Sequence, residues 1–558
     1  MTLPRTLPGS VTHAERRWVM IFATIVMLIT TIPYLVGYAS QGQEWRFTGF
    51  IFGVEDGNSY IAKMLLGSSG SWMFRTPYTA SYQRGVIAFL PYILLGKLAQ
   101  GSGVHEQLVA LYHLFRIGAG FLMILASYDF LALFCHYVNI RRFGVSLIVL
   151  GGGLGWLLLL IGQSPLRGEL PLEFYSPETF GFLSLYGIPH LALARALFLW
   201  ALIVYLKQIL RPGDQWLSSS IKIGIFWLLT ALAQPITAVV LGVVLGLHLI
   251  STGVWQIVRW LVNRLTEWST WFNQFRMVVI ASFITAPFLL YYALVYSTDP
   301  FIESWSAQNI LPSPQPVHYV LAYGVIVPFS LFGAYRLTLE NKWVGLFFLS
   351  WLFAFPFLAY APVNVQRRLP EGIWVVLITL MMYAMEIWLA DQAKFPVKRK
   401  LNRNQVLFGF VLLVCIPSTV LLIIGGTLAA GRTSTPVFRP GGEKQALEQI
   451  AQLTQPGDVV LSAYNTGNAL PAWAPVRVLI GHGPESVKST ELEPAIKRFF
   501  NNATTDENRG RFIRDHQISF VFWGPEEKAL GSWDPSTSNY LSLRYQVGGY
   551  SIFQVTIP

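Results

Sequence analysis

The feature that most constrains this chain is a series of long apolar runs, too many and too long for the core of a soluble protein. The first extends from Trp18 to about Tyr38, and others lie at about 108–137, 143–162, 190–207, 221–250, 276–296, 317–336, 343–360, 371–390 and 406–429. A helix of about 20 apolar residues crosses the ~30 Å hydrocarbon core of a bilayer. Because run 221–250 can hold a tight pair broken at Gln234-Pro235, the pattern predicts about eleven to twelve spans.

The composition excludes several other classes of protein. Of the 558 residues, 12% are charged and 53% are hydrophobic. Soluble domains carry about 25% charged residues, so a disordered or ordinary cytosolic chain is excluded. Cys135 and Cys415 both lie in apolar runs, which excludes a disulfide framework and a CxxC site. The formal net charge of +11 is expected to record membrane orientation, and no nucleic-acid partner is expected.

The positions of the basic residues predict the orientation. Arg16 and Arg17 precede the first run, which places an N-terminal segment, residues 1–17, in the cytoplasm. Later basic clusters that fit cytoplasmic loops are Arg141-Arg142, Lys207 with Arg211, Arg336 with Lys342, and residues 394–403. External and cytoplasmic loops alternate along the chain only if run 82–100 does not cross the membrane fully. Segment 255–275 is predicted to be an amphipathic helix at the cytoplasmic surface. The expected membrane module is 18–430, in the cytoplasmic (inner) membrane, with a first external loop at 39–81.

The composition changes at about residue 431 to that of a soluble protein. Segments 457–462, 476–480 and 518–523 predict short buried strands, 443–453 and 492–500 predict helices, and 545–557 predicts a closing hairpin. We therefore expect residues 431–558 to form a small extracytoplasmic α/β domain. The predicted fold class is an α-helical polytopic membrane protein with a small C-terminal extracytoplasmic α/β domain.

The most informative string is Gly53–Met64 in the first external loop. It contains two adjacent carboxylates, Glu55 and Asp56, just before a predicted amphipathic helix. A carboxylate at the membrane surface can deprotonate a hydroxyl acceptor or bind a divalent cation. The same pair can instead cap the helix and complement its dipole. On the residues alone, both interpretations stay open.

The order of these elements resembles the GT-C superfamily of polytopic membrane glycosyltransferases, including protein mannosyltransferases and aminoarabinose transferases. The likeness covers most of residues 15–430. It rests on the first span, the external acidic motif, the following helix with Tyr60 and Ala62, and three short stretches: Gly67-Ser68-Ser69-Gly70-Ser71-Trp72, Pro77-Tyr78-Thr79 and Leu95-Gly96-Lys97-Leu98. The resemblance implies transfer of a sugar from a polyprenyl-phosphate donor to a glycan, lipid or protein acceptor at the outer face of the membrane, with inversion.

The resemblance also implies roles for the acidic pair. Asp56 is expected to be the base and Glu55 the second carboxylate, and the two would hold a divalent cation, Mg²⁺ or Mn²⁺, if one binds. The Glu-Asp order departs from the commoner Asp-Glu or Asp-x-Asp of the family. The choice of base and the metal dependence therefore stay open.

A phosphate-bearing lipid donor requires cations on the outer side of the membrane. Arg367 and Arg368 lie in a predicted external loop and are the first candidates, with Lys63 and Arg75 as further candidates. The alternative for the arginine pair is contact with lipid head groups or with Glu371.

Substrate contacts are predicted for seven residues: Tyr60, His190, Arg195, Asp299, Glu303, Trp305 and His482. The carboxylates and the indole of loop 297–316 suit a sugar surface, and His482 is expected to cluster with Asn465 and Asn468 after a predicted strand. Each has a structural alternative: a hydrogen-bonded histidine, an internal ion pair, a plain polar loop or a turn.

Two other functions fit the spans, a secondary transporter and a non-catalytic protein that binds lipids or scaffolds other envelope enzymes. Transporters concentrate ionisable residues near the membrane centre and contain inverted repeats. Here the acids concentrate in outer loops and no repeat is visible, which favours the transferase.

Overall fold

The computed structural model describes residues 9–264, 266–394 and 403–556. Helices predominate as far as residue 431. In chain order the α-helices of this part are His13–Ser40, Val54–Ser68, Leu90–Gly96, Val104–Ala132, Val138–Leu150, Gly155–Leu160, Phe182–Gly187, Pro189–Leu210, Trp216–Ala233, Pro235–Asn263, Trp268–Thr298, Pro300–Gln308, Pro316–Tyr323, Val327–Glu340, Lys342–Ala359, Ile373–Lys394, Arg403–Cys415 and Pro417–Gly431.

Eight helices within the described ranges are long and apolar enough to cross a membrane, or up to ten spans if each of two bent pairs counts as one. The bent pairs are Pro316–Tyr323 with Val327–Glu340, and Val406–Cys415 with Pro417–Gly431. The predicted break at Gln234-Pro235 is confirmed, because Pro235 begins a new helix there. The chain is a multi-pass membrane protein.

The span predicted at 143–162 is wrong as a single helix. The segment forms a 13-residue helix, Val138–Leu150, and a 6-residue helix, Gly155–Leu160. Three glycines separate them, and a Cβ on Gly153 would lie 2.5 Å from the Cα of Ala322. The chain passes against a neighbouring backbone here, which requires glycine and interrupts the helix. This segment accounts for the lower number of spans.

The amphipathic surface helix predicted at 255–275 is also wrong. Helix Pro235–Asn263 continues through the first half of that segment, and helix Trp268–Thr298 begins in the second half. Glu267, between them, accepts hydrogen bonds from Arg259 Nη1 at 2.6 Å and Trp343 Nε1 at 3.0 Å. The charges that suggested a polar helix face therefore stabilise a turn between two long helices.

The chain divides into two compact units. The first comprises residues 1–31, 115–292 and 311–425, and the second comprises 32–114, 293–310 and 426–558. The core of the first unit is one large apolar cluster from the membrane helices, including Phe198, Trp351 and Trp374.

The second unit contains a five-stranded sheet. Its strands are β3 Val459–Leu461, β4 Arg477–Val478, β5 Ile518–Trp523, β6 Leu541–Val547 and β7 Tyr550–Val555. They lie in the order β4-β3-β5-β7-β6. Strands β3, β4 and β5 pair in parallel, and β7 pairs antiparallel with β5 and β6. The α-helices of this part are Gly441–Leu453, Tyr464–Trp473, Ser489–Phe499, Asp506–Asp515 and Pro525–Leu530. Apolar clusters on both faces of the sheet, one around Val460 and one around Leu461, make it the centre of an α/β arrangement. The predicted fold class is confirmed as a helical polytopic membrane protein with a small C-terminal sheet region, and the extracytoplasmic position of that region stays a prediction.

The first loop belongs to the same unit as this sheet. Strand β1, Trp45–Phe47, pairs antiparallel with β2, Phe438–Pro440. The backbone N–H of Val478 in β4 donates to the carbonyl of Pro77 at 2.8 Å. The expectation that residues 431–558 fold as a separate domain stays a prediction.

Helix Val54–Ser68 lies against the seven-residue helix Leu90–Gly96, which run 82–100 forms and which is too short to cross a membrane. A Cβ on Gly67 would lie 2.0 Å from the carbonyl oxygen of Ile93, and one on Gly96 would lie 1.8 Å from that of Met64. The two backbones are therefore in contact through reciprocal glycines, and this contact fixes the helix that carries the acidic pair.

Candidate functional site

The acidic pair lies in the first turn of helix Val54–Ser68. The N-cap residue is Gly53, with φ of 60°, and it makes no side-chain cap. Glu55 and Asp56 still complement the helix dipole from this turn. Their side chains also contact another segment of the unit, so capping alone does not describe them.

Asp56 contacts a histidine from the loop after β4. Its Oδ1 lies 3.2 Å from Nε2 of His482. The Asp56 side chain is 56% exposed, whereas the His482 side chain is 12% exposed. The site thus presents a carboxylate at the surface and supports it from a largely buried imidazole.

Glu55 is engaged differently. Its Oε1 accepts hydrogen bonds from the hydroxyl of Tyr464 at 2.6 Å and from the backbone N–H of Gly483 at 3.1 Å. Burial and the bond to Glu55 raise the pKa of Tyr464, so its hydroxyl stays a donor. Glu55 therefore fastens the helix to the loop.

A buried ion pair lies beneath the two surface acids. Glu485 Oε1 is 2.7 Å from Lys63 Nζ, and these side chains are 3% and 1% exposed. Thr76 donates to Glu485 Oε2 at 2.5 Å and Ser59 donates to Oε1 at 3.2 Å. Burial acts to raise the pKa of Glu485, but the charges of Lys63 and His482 and the hydrogen bonds from Lys63 and Thr76 lower it overall. Glu485 is therefore an ionised anchor inside the unit.

This geometry corrects the expectation for Lys63. A lysine that binds the donor phosphate must present its ammonium group to the surface. The ammonium group of Lys63 is instead buried, paired with Glu485 and 4.4 Å from the ring centroid of Phe89. Arg75, the other first-loop candidate, is exposed and stays a prediction.

Three of the predicted sugar contacts in this unit have structural partners. Asp299 caps helix Pro300–Gln308 by accepting from the backbone N–H groups of Phe301 and Ile302. Tyr60 is stacked on Tyr92, with centroids 4.6 Å apart. Trp305 packs among the rings of Phe74, Phe89 and Phe301, while Glu303 is exposed. The Asp299 contact is therefore corrected to a helix cap, and Glu303 and Trp305 stay predictions.

The expected cluster of His482 with Asn465 and Asn468 stays a prediction, and the asparagines have other partners. Asn468 accepts from Nδ2 of Asn58 at 2.7 Å and donates to the carbonyl of Glu55 at 3.2 Å. Asn465 instead donates to Glu526 at 3.1 Å.

Four residues around the acidic pair were not predicted from the sequence. Tyr464 donates directly to Glu55, whereas Ser59, Thr76 and Glu485 belong to the buried network around Lys63. Only Glu485 carried a signal, a carboxylate three residues after His482 in a short polar loop between apolar segments.

In the first unit, Arg195 is a structural residue. It is buried and pairs with Glu371 at 2.5 Å, and it donates to the carbonyls of Phe180, Pro177 and Glu178. With all of its nitrogens engaged in these bonds, the expected substrate contact is corrected to an internal ion pair. His190, at the start of helix Pro189–Leu210, is also buried.

Arg367 and Arg368 lie at the start of the span Gln366–Ala390 in the first unit. The guanidinium of Arg367 lies 4.7 Å from the ring centroid of Tyr175. Arg368 lies 3.5 Å from Glu178 and is 34% exposed. The alternative pairing with Glu371 is not formed, because Arg195 binds that carboxylate. The phosphate role of the arginine pair stays a prediction.

Among the described residues, no group of three or more His, Cys, Asp or Glu side chains is arranged to hold a metal ion. One oxygen of Glu55 already accepts two hydrogen bonds, and Asp56 alone does not make a protein site. Binding of a divalent cation by Glu55 and Asp56 stays a prediction, and no step below depends on one.

Solved structures similar to this chain are membrane enzymes. The archaeal oligosaccharyltransferase AglB from Archaeoglobus fulgidus, in complex with an inhibitory peptide and a dolichol-phosphate, matches with a TM-score of 0.53 and 13% identity, covering 92% of this chain and 70% of that one. Its apo form matches with a TM-score of 0.52, the same identity and the same coverage. ArnT from Cupriavidus metallidurans, in the apo state, has a TM-score of 0.47 and 14% identity over 95% of this chain and 97% of that one.

No protein-family model matches the chain, and neither does any curated protein sequence. At such low identity, the similarity to the oligosaccharyltransferase establishes the fold. The chain has the fold of the GT-C polytopic membrane glycosyltransferases, as its sequence resemblance predicted.

Proposed function

We propose that the protein transfers a sugar from a polyprenyl-phosphate-linked donor to a nucleophilic acceptor, a glycan, lipid or protein, at the outer face of the cytoplasmic membrane. The observation that carries this proposal is the exposed carboxylate of Asp56, held beside His482 at the start of a helix in the first loop. The archaeal oligosaccharyltransferase that shares the fold was solved with dolichol-phosphate, which supports a lipid phosphate as the donor's carrier.

In the proposed reaction Asp56 removes the proton from the acceptor hydroxyl, and the oxygen of that hydroxyl attacks the anomeric carbon of the sugar. The bond from that carbon to the phosphate oxygen breaks, and the polyprenyl phosphate leaves with the electron pair. Attack opposite the leaving group inverts the anomeric centre. We assign Asp56, and not Glu55, as the base, because Glu55 is already bonded to Tyr464 and Gly483.

We also propose that Arg367 and Arg368 bind the donor phosphate. Guanidinium groups bind phosphate oxygens through paired N–H donors. Arg368 is partly exposed and its contact with Glu178, at 3.5 Å, is long for a hydrogen bond, so it can exchange that partner for a phosphate.

The pairing of ionisable groups within the helical unit supports the transferase over a secondary transporter. Among the described residues, Arg195 with Glu371 and Arg141 with Glu15 form ion pairs, and Glu386 accepts from the backbone N–H of His136. A transporter needs ionisable groups that change partners along a path through the membrane, whereas these groups are paired with one another.

The test compares Asp56→Asn with wild type, using purified protein and labelled polyprenyl-phosphate sugars. Loss of a general base lowers turnover by about 10²–10⁴-fold. Asp515→Asn, at an exposed position of helix Asp506–Asp515, is the matched control and should turn over normally. Unchanged turnover in Asp56→Asn would show that this carboxylate is not the base, and failure of the wild type to bind any such donor would contradict the proposed class.

A further inference from the structure

The loop from Gly481 to Ser486 contacts both carboxylates of the acidic pair. Nε2 of His482 lies 3.2 Å from Asp56, and the backbone N–H of Gly483 donates to Glu55 at 3.1 Å. Each acid thus meets a nitrogen of the same loop. His482 and Asp56 are 426 residues apart along the chain, so their contact is made by the tertiary structure.

The loop is held rigidly by its own hydrogen bonds. Ser486 Oγ accepts from the backbone N–H groups of Gly481 and His482, both at 3.0 Å. Gln308 donates to the carbonyl of Pro484 at 3.2 Å. The backbone beneath His482 is therefore fixed independently of the acids.

Glu485 anchors the loop to the helix that carries Asp56. Its carboxylate binds Lys63 and Ser59, two residues of helix Val54–Ser68. It also lies 3.4 Å from Nδ1 of His482. The imidazole therefore lies between a buried carboxylate and an exposed one, and its Nδ1 makes no hydrogen bond to Glu485 at this distance.

We propose that His482 is a positioning residue that donates its Nε2–H to Asp56 Oδ1 and thereby aims the second carboxylate oxygen at the acceptor hydroxyl. This inference rests on the proposed function, since it names what orients the proposed base. An exposed aspartate samples several rotamers, and a fixed donor restricts them. The residues after β4 are then part of the catalytic centre.

The variants His482→Gln and His482→Leu separate positioning from packing. Glutamine keeps an N–H donor in place of Nε2–H, whereas leucine keeps the bulk and loses the donor. Removing a hydrogen bond to a charged group that is needed for the reaction lowers the rate by about 10–100-fold. We expect kcat of His482→Leu to fall by about that factor with KM for the donor within about threefold, and His482→Gln to recover at least about tenfold of the loss. The same two changes at His516, the residue that follows helix Asp506–Asp515, should leave both constants unchanged.

A second measurement does not need turnover. Hydrogen exchange of the peptide that covers residues 54–65 should be faster in His482→Leu than in wild type, and close to wild type in His482→Gln. Equal kcat in all three proteins, equal loss in both His482 variants, or unchanged exchange in His482→Leu would overturn the positioning role. If the wild type binds and turns over no polyprenyl-phosphate sugar, the proposed function fails, and the exchange measurement still decides whether His482 positions the helix turn.

Discussion

At the scale of single residues, Arg195 shows why an ionisable side chain in an apolar run is ambiguous in sequence. Its charge suggested a substrate contact, but Glu371, which lies 176 residues further along the chain, neutralises it. Burial without that partner would leave a charge in a low-dielectric interior. Only the fold can show which partner is present.

This pair gives a stability prediction. Arg195→Leu leaves Glu371 buried and unpaired, so we expect it to lower the free energy of unfolding by about 3–5 kcal/mol. Replacing both residues by leucine removes the unpaired charge and should cost less than Arg195→Leu alone. Thermal unfolding in detergent measures both. Normal stability with lost activity in Arg195→Leu would instead indicate a substrate ligand.

Glu485 gives a prediction for pH. Its pKa in the folded protein is lowered from the ordinary value of 4.5, so its stabilising contribution is complete above that value and is lost as the pH falls through the lower folded pKa. We expect the unfolding temperature of the wild type to decrease from about pH 6 to about pH 3.5 by more than that of Glu485→Gln, which is less stable at pH 6. Burial raises the pKa of Glu527, which contributes with the opposite sign in both proteins and cancels in the comparison. Equal decreases would contradict the prediction.

At the scale of elements, the period and length of the apolar runs were sufficient to predict most helices. They failed where the backbone contacts another backbone. The run at 143–162 is apolar throughout, yet it breaks at Gly151–Gly153 because of its neighbour. An apolar composition indicates that a segment is removed from water, but it does not indicate whether the segment forms one helix or two.

The contact between helices Val54–Ser68 and Leu90–Gly96 leads to the element prediction. A methyl group on Gly67 or Gly96 would overlap a backbone carbonyl, which cannot move as a side chain can. We expect Gly67→Ala and Gly96→Ala to lower the free energy of unfolding by about 1–3 kcal/mol and to lower kcat, because the helix shifts with Asp56.

Gly118→Ala is the matched control for these variants. It lies within helix Val104–Ala132, and a Cβ there would meet nothing within 4 Å. It should be neutral or slightly stabilising, because alanine favours helix. If Gly67→Ala proves as stable and as active as Gly118→Ala, the close approach of the two helices is contradicted.

At the scale of the whole molecule, the orientation in the membrane is still a prediction from the basic residues. Reporter fusions at residues 100, 140 and 400 test it; residue 400 lies outside the described residues. We expect an external signal at 100 and cytoplasmic signals at 140 and 400, since run 82–100 does not cross and basic residues favour the cytoplasm. A cytoplasmic signal at 100 together with an external one at 140 would reverse the assignment.

The sequence by itself determined that this is a multi-pass membrane protein with a C-terminal α/β region, and it pointed to the acidic pair at Glu55 and Asp56. Those features depend on local composition and spacing, which a chain displays directly. Only the tertiary structure decided that Glu55 is bonded to Tyr464 and Gly483, that Lys63 is buried with Glu485, and that His482 contacts Asp56. These contacts join segments about four hundred residues apart, and no local pattern specifies which distant side chain will meet a buried charge.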